Sequence, residues 1–371
     1  MVPKALKYKT KNYILMYEIK KDAKESYISI LGFSDYLEHD QVIIPSTIKG
    51  LPVRKIARKA FSQTPIRGIN FSEGLISIEA GAFSDCHNLR EVVFPNSLEV
   101  INESAFDSCI FLENIKLNEG LKTIGPSAFI DTKIENLTIP DSVSRIEEFA
   151  FYRCGLKNVK CGAGLEFIGE CAFCENENLE KVDFNEGLQK IAAEAFDSSG
   201  LKSAILPDSL KNLAFSAFNY CHSLTFLYLG ANLENTTYLN SICSGCSSLE
   251  TIIVSKDNNQ FKSINNILYD TKANKLVKVP SNIKEMTIPR WVEAITPSCF
   301  VDVRLEKLYI RPKSLKNIDE SCMRNAKTIY CVPNSAVHEK VKEYSEVNIV
   351  TIDSKLTTFL DALTPDEHSL S

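Results

Sequence analysis

Apolar residues recur along this chain in one pattern that repeats every 22 or 23 residues. Residues 78–94 read IEAGAFSDCHNLREVVF, and residues 101–117 read INESAFDSCIFLENIKL. Each copy contains an Ala-Phe pair, with one aliphatic residue four positions before the alanine and another seven before it. The regular pairs are Ala60-Phe61, Ala82-Phe83, Ala105-Phe106, Ala128-Phe129, Ala150-Phe151, Ala172-Phe173, Ala195-Phe196 and Ala217-Phe218. A fixed period of this kind is typical of proteins built from stacked structural repeats.

A second apolar run follows each pair and predicts a short strand. In the copy at 101–117 the run is Leu112, Ile115 and Leu117, and its last two members alternate with period two, as a half-buried strand requires. One 23-residue unit cannot bury all its apolar side chains alone. We therefore predict that each strand pairs in parallel with its copy in the next turn, about 4.8 Å away, and that Phe83, Phe106 and Phe129 stack in one column.

Three degraded copies extend the repeat toward the C-terminus and bring the total to eleven. They are read at Ser241-Ile242, Cys299-Phe300 and Cys322-Met323. Between residues 255 and 289 the period is lost, and the segments ILYD and KLVKV on either side of a four-residue turn predict a β-hairpin.

The repeat resembles the BspA-like (TpLRR) class of leucine-rich repeats, most clearly in FPNSLEVINESAFDSCIFL at 94–112. The resemblance implies an α/β, mainly β fold: a right-handed leucine-rich-repeat solenoid with a parallel β-sheet on its concave face and a cap at each end. The C-terminal cap resembles a strand–helix–strand unit, in which Asn334 or Ser335 is expected to cap a helix that ends near Tyr344.

The predicted organisation has six parts. They are an N-terminal cap (1–48), leucine-rich repeats (49–254), an inserted β-hairpin (255–289), further repeats (290–331), a C-terminal cap (332–352) and a tail (353–371).

Strand alternation also predicts which side chains point away from the core on the concave face. The first six rungs are mainly polar, whereas the last five carry apolar side chains. These are Ile205, Phe226, Tyr228, Ile253, Tyr309 and Tyr330. An exposed patch rich in tyrosine and phenylalanine is typical of a partner-binding site. The alternative is that the 255–289 hairpin or the C-terminal cap folds over these residues.

Composition and charge narrow the function classes. The chain has 371 residues, of which 44% are hydrophobic and 24% charged, which indicates a folded protein. A net charge of −5 provides no field to attract nucleic acid. We find neither an apolar run long enough to span a membrane nor a signal peptide. We therefore expect the protein to be cytoplasmic if Met1 is the native start, and secreted or on the cell surface if the chain is trimmed. We also expect a monomer.

The twelve cysteines include candidates for metal and redox chemistry. Cys171–Cys174 and Cys243–Cys246 are Cys-x-x-Cys pairs that could together hold zinc. Three repeats separate them, about 15 Å at strand spacing, so we predict neither a metal site nor a cofactor. Cys86 and Cys109 share one repeat position, which predicts stacked reduced thiols. A disulfide there would require an oxidising compartment.

Catalysis is not predicted. The five histidines are scattered, and the sequence contains no Gly-rich phosphate loop, HExxH or GxSxG motif. The BspA-like family includes surface adhesins that bind host extracellular-matrix proteins, so the resemblance implies protein recognition through the concave face. An intracellular scaffold without an adhesive role is the alternative, and an enzyme is a distant third class.

Overall fold

The computed structural model describes residues 5–35, 41–234, 242–311, 315, 324–344 and 346–352. Two compact units divide the chain, unit 1 at Met1–Leu201 and unit 2 at Lys202–Ser371. Some residues of the predicted repeats and tail lie outside the described residues: Ser241, Cys322, Met323 and 353–371.

Unit 1 contains short strands almost throughout. They are β1 (Leu6–Lys9), β2 (Ile14–Lys21), β3 (Ser26–Asp35), β4 (Gln41–Ile44), β5 (Thr47–Ile48), β6 (Leu51–Ile56), β7 (Gly68–Phe71), β8 (Ser77–Ile78), β9 (Glu91–Val93), β10 (Val100–Ile101), β11 (Asn114–Lys116), β12 (Thr123–Ile124), β13 (Asn136–Thr138), β14 (Arg145–Ile146), β15 (Asn158–Lys160), β16 (Phe167–Ile168), β17 (Lys181–Asp183) and β18 (Lys190–Ile191).

Each turn of unit 1 contributes one strand to each of two parallel ladders. The short ladder runs β3-β6-β8-β10-β12-β14-β16-β18, so that Ile101 pairs with Ile78 on one side and Ile124 on the other. The long ladder is formed by the strands that follow each Ala-Phe pair, and Ile115 pairs there with Val92. It is divided into two sheets, β4-β7-β9-β11 and β13-β15-β17. Both ladders follow the predicted repeat register.

The core of unit 1 contains a column of stacked phenylalanine rings, which we call the Phe column. Its members are Phe61, Phe83, Phe106, Phe129, Phe151, Phe173 and Phe196, all fully buried. Neighbouring ring centroids are 5.1 to 5.5 Å apart, and their planes differ by only 3 to 9°. The predicted alignment of Phe83, Phe106 and Phe129 is therefore confirmed.

Backbone hydrogen bonds satisfy the turn that carries each ring. The N–H groups of Ser104, Phe106 and Ser108 donate to carbonyls of the next turn at 2.9, 2.8 and 2.9 Å, and the carbonyl of Ala128 accepts the middle bond. Ser104 and Ser108 adopt φ values of 51° and 58° so that alternate N–H groups point the same way. Because a buried backbone donor without a partner is unfavourable, this third ladder allows the turn to be buried.

The repeat cysteine bonds to the same turn. The thiol of Cys109 donates to the Phe83 carbonyl at 3.2 Å, and that of Cys86 donates to the Phe61 carbonyl at 3.0 Å. Asn176 replaces this thiol in its own turn, and its side-chain amide donates to the Phe151 carbonyl at 2.8 Å. The recurrence of cysteine at one repeat position thus places a hydrogen-bond donor between neighbouring turns.

Unit 2 continues with strands and one described helix. They are β19 (Ser203–Ile205), β20 (Asn212–Leu213), β21 (Phe226–Leu229), β22 (Thr251–Val254), β23 (Phe261–Ile264), β24 (Ile267–Asp270), β25 (Lys275–Lys278), β26 (Glu285–Ile288), β27 (Ala294–Ile295), β28 (Leu305–Ile310), β29 (Ala326–Cys331), α1 (Ala336–Val341) and β30 (Asn348–Thr351).

Apart from β20, which extends the short ladder, the described strands of unit 2 form the sheets β19-β21-β22, β23-β24-β25-β27 and β26-β28-β29-β30. The predicted hairpin is the antiparallel pair β24–β25, and β23 adds a third antiparallel strand. β25 also pairs in parallel with β27, so that Leu276 faces Ile295. The second strand of the hairpin is therefore itself part of a turn of the repeat, which the irregular spacing of apolar residues in 255–289 did not reveal.

One degraded repeat was placed in the wrong register. The Phe218 N–H donates to the carbonyl of Ile242, and the Cys246 thiol donates to the carbonyl of Phe218. By comparison with the regular turns, these bonds put Ile242 in the alanine position and Cys243 in the phenylalanine position. The predicted pair Ser241-Ile242 is thus wrong by one residue, because the spacing from Phe218 is longer here than in the regular repeats.

The C-terminal helix begins as expected. Ser335 is its N-cap and accepts a hydrogen bond from the His338 N–H at 3.1 Å. The helix ends at Val341, one turn before the expected end near Tyr344. The predicted fold class, a mainly β leucine-rich-repeat solenoid, is confirmed. The boundaries of the six predicted parts stay a prediction.

Candidate protein-binding face

Four of the six predicted partner-binding residues lie on one small sheet of unit 2. We call Ile205, Phe226, Tyr228 and Ile253 the isoleucine–tyrosine cluster. In the sheet β19-β21-β22, Tyr228 pairs with Ile205 on one side and Ile253 on the other, so the three side chains form one row. Phe226 lies in the adjacent outward row on the same face of the sheet. Alternation along three neighbouring strands thus produces a contiguous apolar surface.

The isoleucine–tyrosine cluster is open to solvent. Ile205 is 60% exposed and Ile253 is 41% exposed, while Phe226 and Tyr228 are half-buried. In the part of the chain that the structure describes, neither the hairpin nor the C-terminal cap buries the two isoleucines. The strand β23, which precedes the hairpin, contacts β22 through the Ser263 hydroxyl, which donates to the Ile252 carbonyl.

The two remaining predicted residues form a separate contact. Tyr309 on β28 pairs with Tyr330 on β29, and their rings stack with centroids 4.4 Å apart and planes 20° apart. Both are half-buried, and burial raises the pKa of Tyr309 above its ordinary value, so its phenol stays neutral at physiological pH. We call these residues the tyrosine pair.

The tyrosine pair belongs to a different sheet from the isoleucine–tyrosine cluster. Its strands are in β26-β28-β29-β30, and the four-stranded sheet containing the hairpin lies between the two groups in chain order. Ahead of these strands, the backbone N–H and hydroxyl of Ser281, which precedes β26, both donate to the carbonyl of Leu249, which precedes β22, at 2.8 and 2.9 Å. The structure therefore divides the predicted patch into two groups.

Unit 1 presents a different surface on its long ladder. The Asn158 side-chain amide donates to the Asn136 amide oxygen at 3.0 Å, and Lys181 forms an ion pair with Asp183 at 2.8 Å. Two exposed aliphatic side chains interrupt this polar surface, Ile43 and Val93. Ile43 was missed because residues 41–44 were assigned to the cap rather than to a rung.

Clusters of metal-ligand residues and membrane-spanning helices are both absent from the described residues. No group of three or more His, Cys, Asp or Glu side chains within them is placed to hold a metal ion. Within the same ranges, none of the helices has the length and hydropathy needed to cross a bilayer.

Two parallel ladders, a buried ring column and an outward row on each rung define a leucine-rich-repeat solenoid, a class that is typically non-enzymatic. The sequence model of the BspA type leucine rich repeat region matches residues 27–157, 144–274 and 278–362, with six copies of the repeat. The chain therefore belongs to the BspA type leucine-rich-repeat family. No curated protein matches the chain.

Similar solved structures come from several bacteria. A leucine-rich repeat protein from Bacteroides ovatus is 22% identical with a TM-score of 0.57, and the match covers 93% of this chain and all (100%) of that one. A leucine rich cell surface protein from Faecalibacterium prausnitzii is 18% identical with a TM-score of 0.51, covering 98% of each chain. The leucine rich repeat protein TpLRR of T. pallidum is 23% identical with a TM-score of 0.45, covering 56% of this chain and 87% of its own.

Proposed function

We propose that this chain is a non-catalytic protein-binding module that recognises a protein partner through the isoleucine–tyrosine cluster, with the tyrosine pair as a second contact. The observation that carries the proposal is the exposed row Ile205–Tyr228–Ile253. A contiguous apolar row on a solvent-facing sheet is unfavourable in isolation and becomes favourable when a partner covers it.

The chemistry of the cluster suits the centre of a protein interface. Two β-branched aliphatic side chains flank a tyrosine, whose ring adds apolar area and whose hydroxyl can bond to the partner. Charged residues are depleted at the centres of such interfaces. The row itself carries no charge. The nearest charged residues in the sequence, Lys202 and Glu250, immediately precede β19 and β22.

Paired substitutions test the proposal. Ile205→Ser with Ile253→Ser removes the exposed aliphatic groups of the cluster. Ile43→Ser with Val93→Ser is a matched control, because it removes two exposed aliphatic groups from the long ladder of unit 1. Partner capture from the source cells is quantified by mass spectrometry, and circular dichroism confirms that each variant is folded. We expect the first variant to lose its specific partner and the control to keep it.

Retention of the same partner by both variants would contradict the assigned face. Equal loss in both would indicate general apolar adhesion rather than recognition. Phe226→Ala with Tyr228→Ala provides a second test of the cluster, because it removes aromatic area from the same face without introducing charge.

The class of partner that we propose depends on the compartment in which the protein is found. A host extracellular-matrix protein is the partner we propose if the protein is displayed on a cell, as the F. prausnitzii relative is described. An intracellular scaffold would instead hold a cytoplasmic protein. Fractionation of the source cells, followed by binding of the purified chain to immobilised matrix proteins, separates the two. A cytoplasmic location without matrix binding would exclude the adhesin-like role and leave the binding module intact.

A further inference from the structure

In unit 2, positions equivalent to those of the Phe column are occupied by other residues. Cys243 occupies the position that a phenylalanine fills in the regular turns, as the backbone bonds at Phe218 and Ile242 show. In the next turn the Val279 N–H donates to the Cys299 carbonyl, which places Val279 in the phenylalanine position and Lys278 in the alanine position. A thiol and a lysine thus replace core apolar groups in two successive turns.

Lys278 is a buried cation beside this thiol. Its ammonium lies 2.9 Å from Asp302 Oδ2, and the side chains of Lys278 and Asp302 are only 3% and 9% exposed. Asp302 also accepts a hydrogen bond from the Gly245 N–H at 3.0 Å. Gly245 lies between Cys243 and Cys246, so the ion pair is fixed against the Cys-x-x-Cys turn itself. A buried charge is retained only where it is paired and hydrogen-bonded.

The thiols around this turn interact with one another. Cys246 lies within hydrogen-bonding reach of both Cys243 and Cys221. The hydrogen bond with Cys246, aided by the Lys278 ammonium and opposed by burial and by the Asp302 carboxylate, lowers the pKa of Cys243 below its ordinary value. Hydrogen bonds with Cys221 and Cys243, together with burial, raise the pKa of Cys246. The two thiols therefore have distinct roles, one favouring the thiolate and the other the thiol.

The second Cys-x-x-Cys pair of the chain has the opposite surroundings. The Cys171 thiol lies 3.6 Å from a carboxylate oxygen of Glu194. The hydrogen bond with Cys174, burial and the negative charge of Glu194 all raise the pKa of Cys171. An anionic neighbour disfavours a thiolate, whereas a cation stabilises one and makes it reactive.

We propose that Cys243 and Cys246 form an oxidisable dithiol, with Cys243 as the attacking thiolate, Cys246 as the resolving thiol and Lys278 as a positioning residue. The oxidant class is a hydroperoxide, which is small enough to reach a thiol through local opening of a turn. This site is independent of the protein-binding face.

The proposed reaction has two steps. The Cys243 thiolate attacks one oxygen of hydrogen peroxide, the O–O bond breaks, and hydroxide leaves to give the sulfenic acid, Cys243–SOH. The Cys246 sulfur then attacks the Cys243 sulfur, its proton and the departing hydroxyl form water, and a disulfide results. Two thiols are oxidised, one peroxide is reduced to two waters, and a reducing thiol reverses the change.

Competition between the two pairs within the unmodified protein provides the first test. The protein is treated with limiting hydrogen peroxide, remaining thiols are alkylated, and peptides are quantified by mass spectrometry. Cys171 and Cys174 are 5% and 7% exposed, against 1% and 0% for Cys243 and Cys246, so access alone favours oxidation of the first pair. We expect the Cys243–Cys246 disulfide to form first. Earlier oxidation of Cys171–Cys174, or a Cys221–Cys246 disulfide in its place, would overturn the proposal.

Variants test the role of Lys278. The double variant Lys278→Met with Asp302→Asn removes both charges and so leaves no buried charge unpaired. It should slow oxidation of Cys243 severalfold, because the Lys278 ammonium lowers the pKa of this thiol by more than the Asp302 carboxylate raises it. It should also shift the pH profile of Cys243 alkylation to higher pH, which a purely structural change would not do. An unchanged rate and profile in a folded variant would refute the role.

Trapping identifies the attacking sulfur. In Cys246→Ser the sulfenic acid cannot be resolved by residue 246, so dimedone should label Cys243. In Cys243→Ser, labelling at residue 246 should stay at the level of the Cys171–Cys174 pair. Dimedone on Cys246 but not Cys243 would contradict the assignment.

Discussion

At the scale of the residue, one buried ring carries much of the stability of a turn. Phe106 is fully buried between Phe83 and Phe129, with ring centroids 5.1 and 5.3 Å away. We expect Phe106→Ala to lower the free energy of unfolding by about 3–5 kcal/mol, because it leaves a cavity within the stack. Denaturant unfolding measures the change.

Phe111 in the same repeat is the matched control. Its half-buried ring lies 5.0 Å from both the Arg90 guanidinium and the Lys133 ammonium, and it is outside the Phe column. Phe111→Ala should lower the free energy of unfolding by only about 1 kcal/mol, through loss of cation–π contact. Equal losses in the two variants would contradict the importance of the column.

A second residue prediction concerns pH. Burial, together with the carboxylates of Asp85 and Asp131, raises the pKa of Asp107 above its ordinary value of 3.8, despite a 2.9 Å bond from Ser108. The folded state therefore binds the Asp107 proton more tightly than the unfolded state. The free energy of unfolding should therefore fall as the pH rises from 3.8 through the raised pKa of the folded state. Above that raised pKa the full penalty is present.

Asp107→Asn should remove this penalty. We expect the free energy of unfolding to rise by about 0.5 kcal/mol at neutral pH and to match the unmodified protein near about pH 3, where the carboxyl is protonated. Asp141→Asn is the control, because Asp141 accepts a 2.7 Å bond from the Ala163 N–H that an asparagine side-chain oxygen can also accept. Stabilisation at both pH values would indicate a cause other than charge.

At the scale of the element, the first long-ladder strand has a protected edge. The Tyr13 hydroxyl donates to the Ile43 carbonyl at 2.7 Å and accepts from the Ile43 N–H at 3.0 Å, which occupies the outer edge of β4. Burial is the main cause that raises the pKa of Tyr13, so the phenol keeps the proton it donates. Exposed strand edges are sites of unwanted pairing between chains.

Tyr13→Phe should expose that edge. We expect a loss of about 1 kcal/mol in stability and concentration-dependent association, measured by analytical ultracentrifugation. Tyr8→Phe, which removes a hydroxyl from the neighbouring strand β1, is the control and should remain as monodisperse as the unmodified protein. Association in both variants, or in neither, would show that the Tyr13 hydroxyl does not protect the edge.

Sequence periodicity predicts the elements that repeat and misses those that depend on a single turn. The rungs at Ile78, Ile101 and Ile124 were predictable because the same side chain recurs at a fixed spacing and must face the same core. The outward position of Tyr228 followed from alternation in the same way. The division of the candidate face into two sheets did not, because it depends on how the inserted hairpin joins the ladder.

The buried polar cluster was beyond prediction for a related reason. Lys278 lies in the segment KLVKV, on the same face as Leu276 by alternation, but a charged side chain is expected to be exposed. Its burial depends on the ion pair with Asp302. Cys243 was misplaced by one residue because Phe218 and Cys243 are separated by more than the regular repeat length. Both errors fall where the repeat is least regular, which is also where the buried ion pair and the Cys-x-x-Cys turn lie.

At the scale of the whole molecule, the two units differ in the continuity of their cores. Unit 1 has an unbroken Phe column from Phe61 to Phe196, whereas the equivalent positions of unit 2 include Cys243 and Val279. In a repeat protein, stability is approximately a sum of nearest-neighbour terms, so local gaps lower local stability. The buried Lys278–Asp302 pair replaces apolar contact with an interaction that contributes less net stability.

Hydrogen exchange measures this difference directly. The N–H groups of Phe83 and Phe129 bond to the carbonyls of Ala105 and Ala150, and that of Val279 bonds to the carbonyl of Cys299 in the equivalent place. We expect the first two amides to exchange slowly and to keep their protection to higher denaturant, because only they are covered on both sides by stacked rings. Phe106→Ala should reduce protection at Phe83 and Phe129 while leaving Val279 unchanged. Equal protection at all three amides of the unmodified protein would show that the ring column does not set local stability.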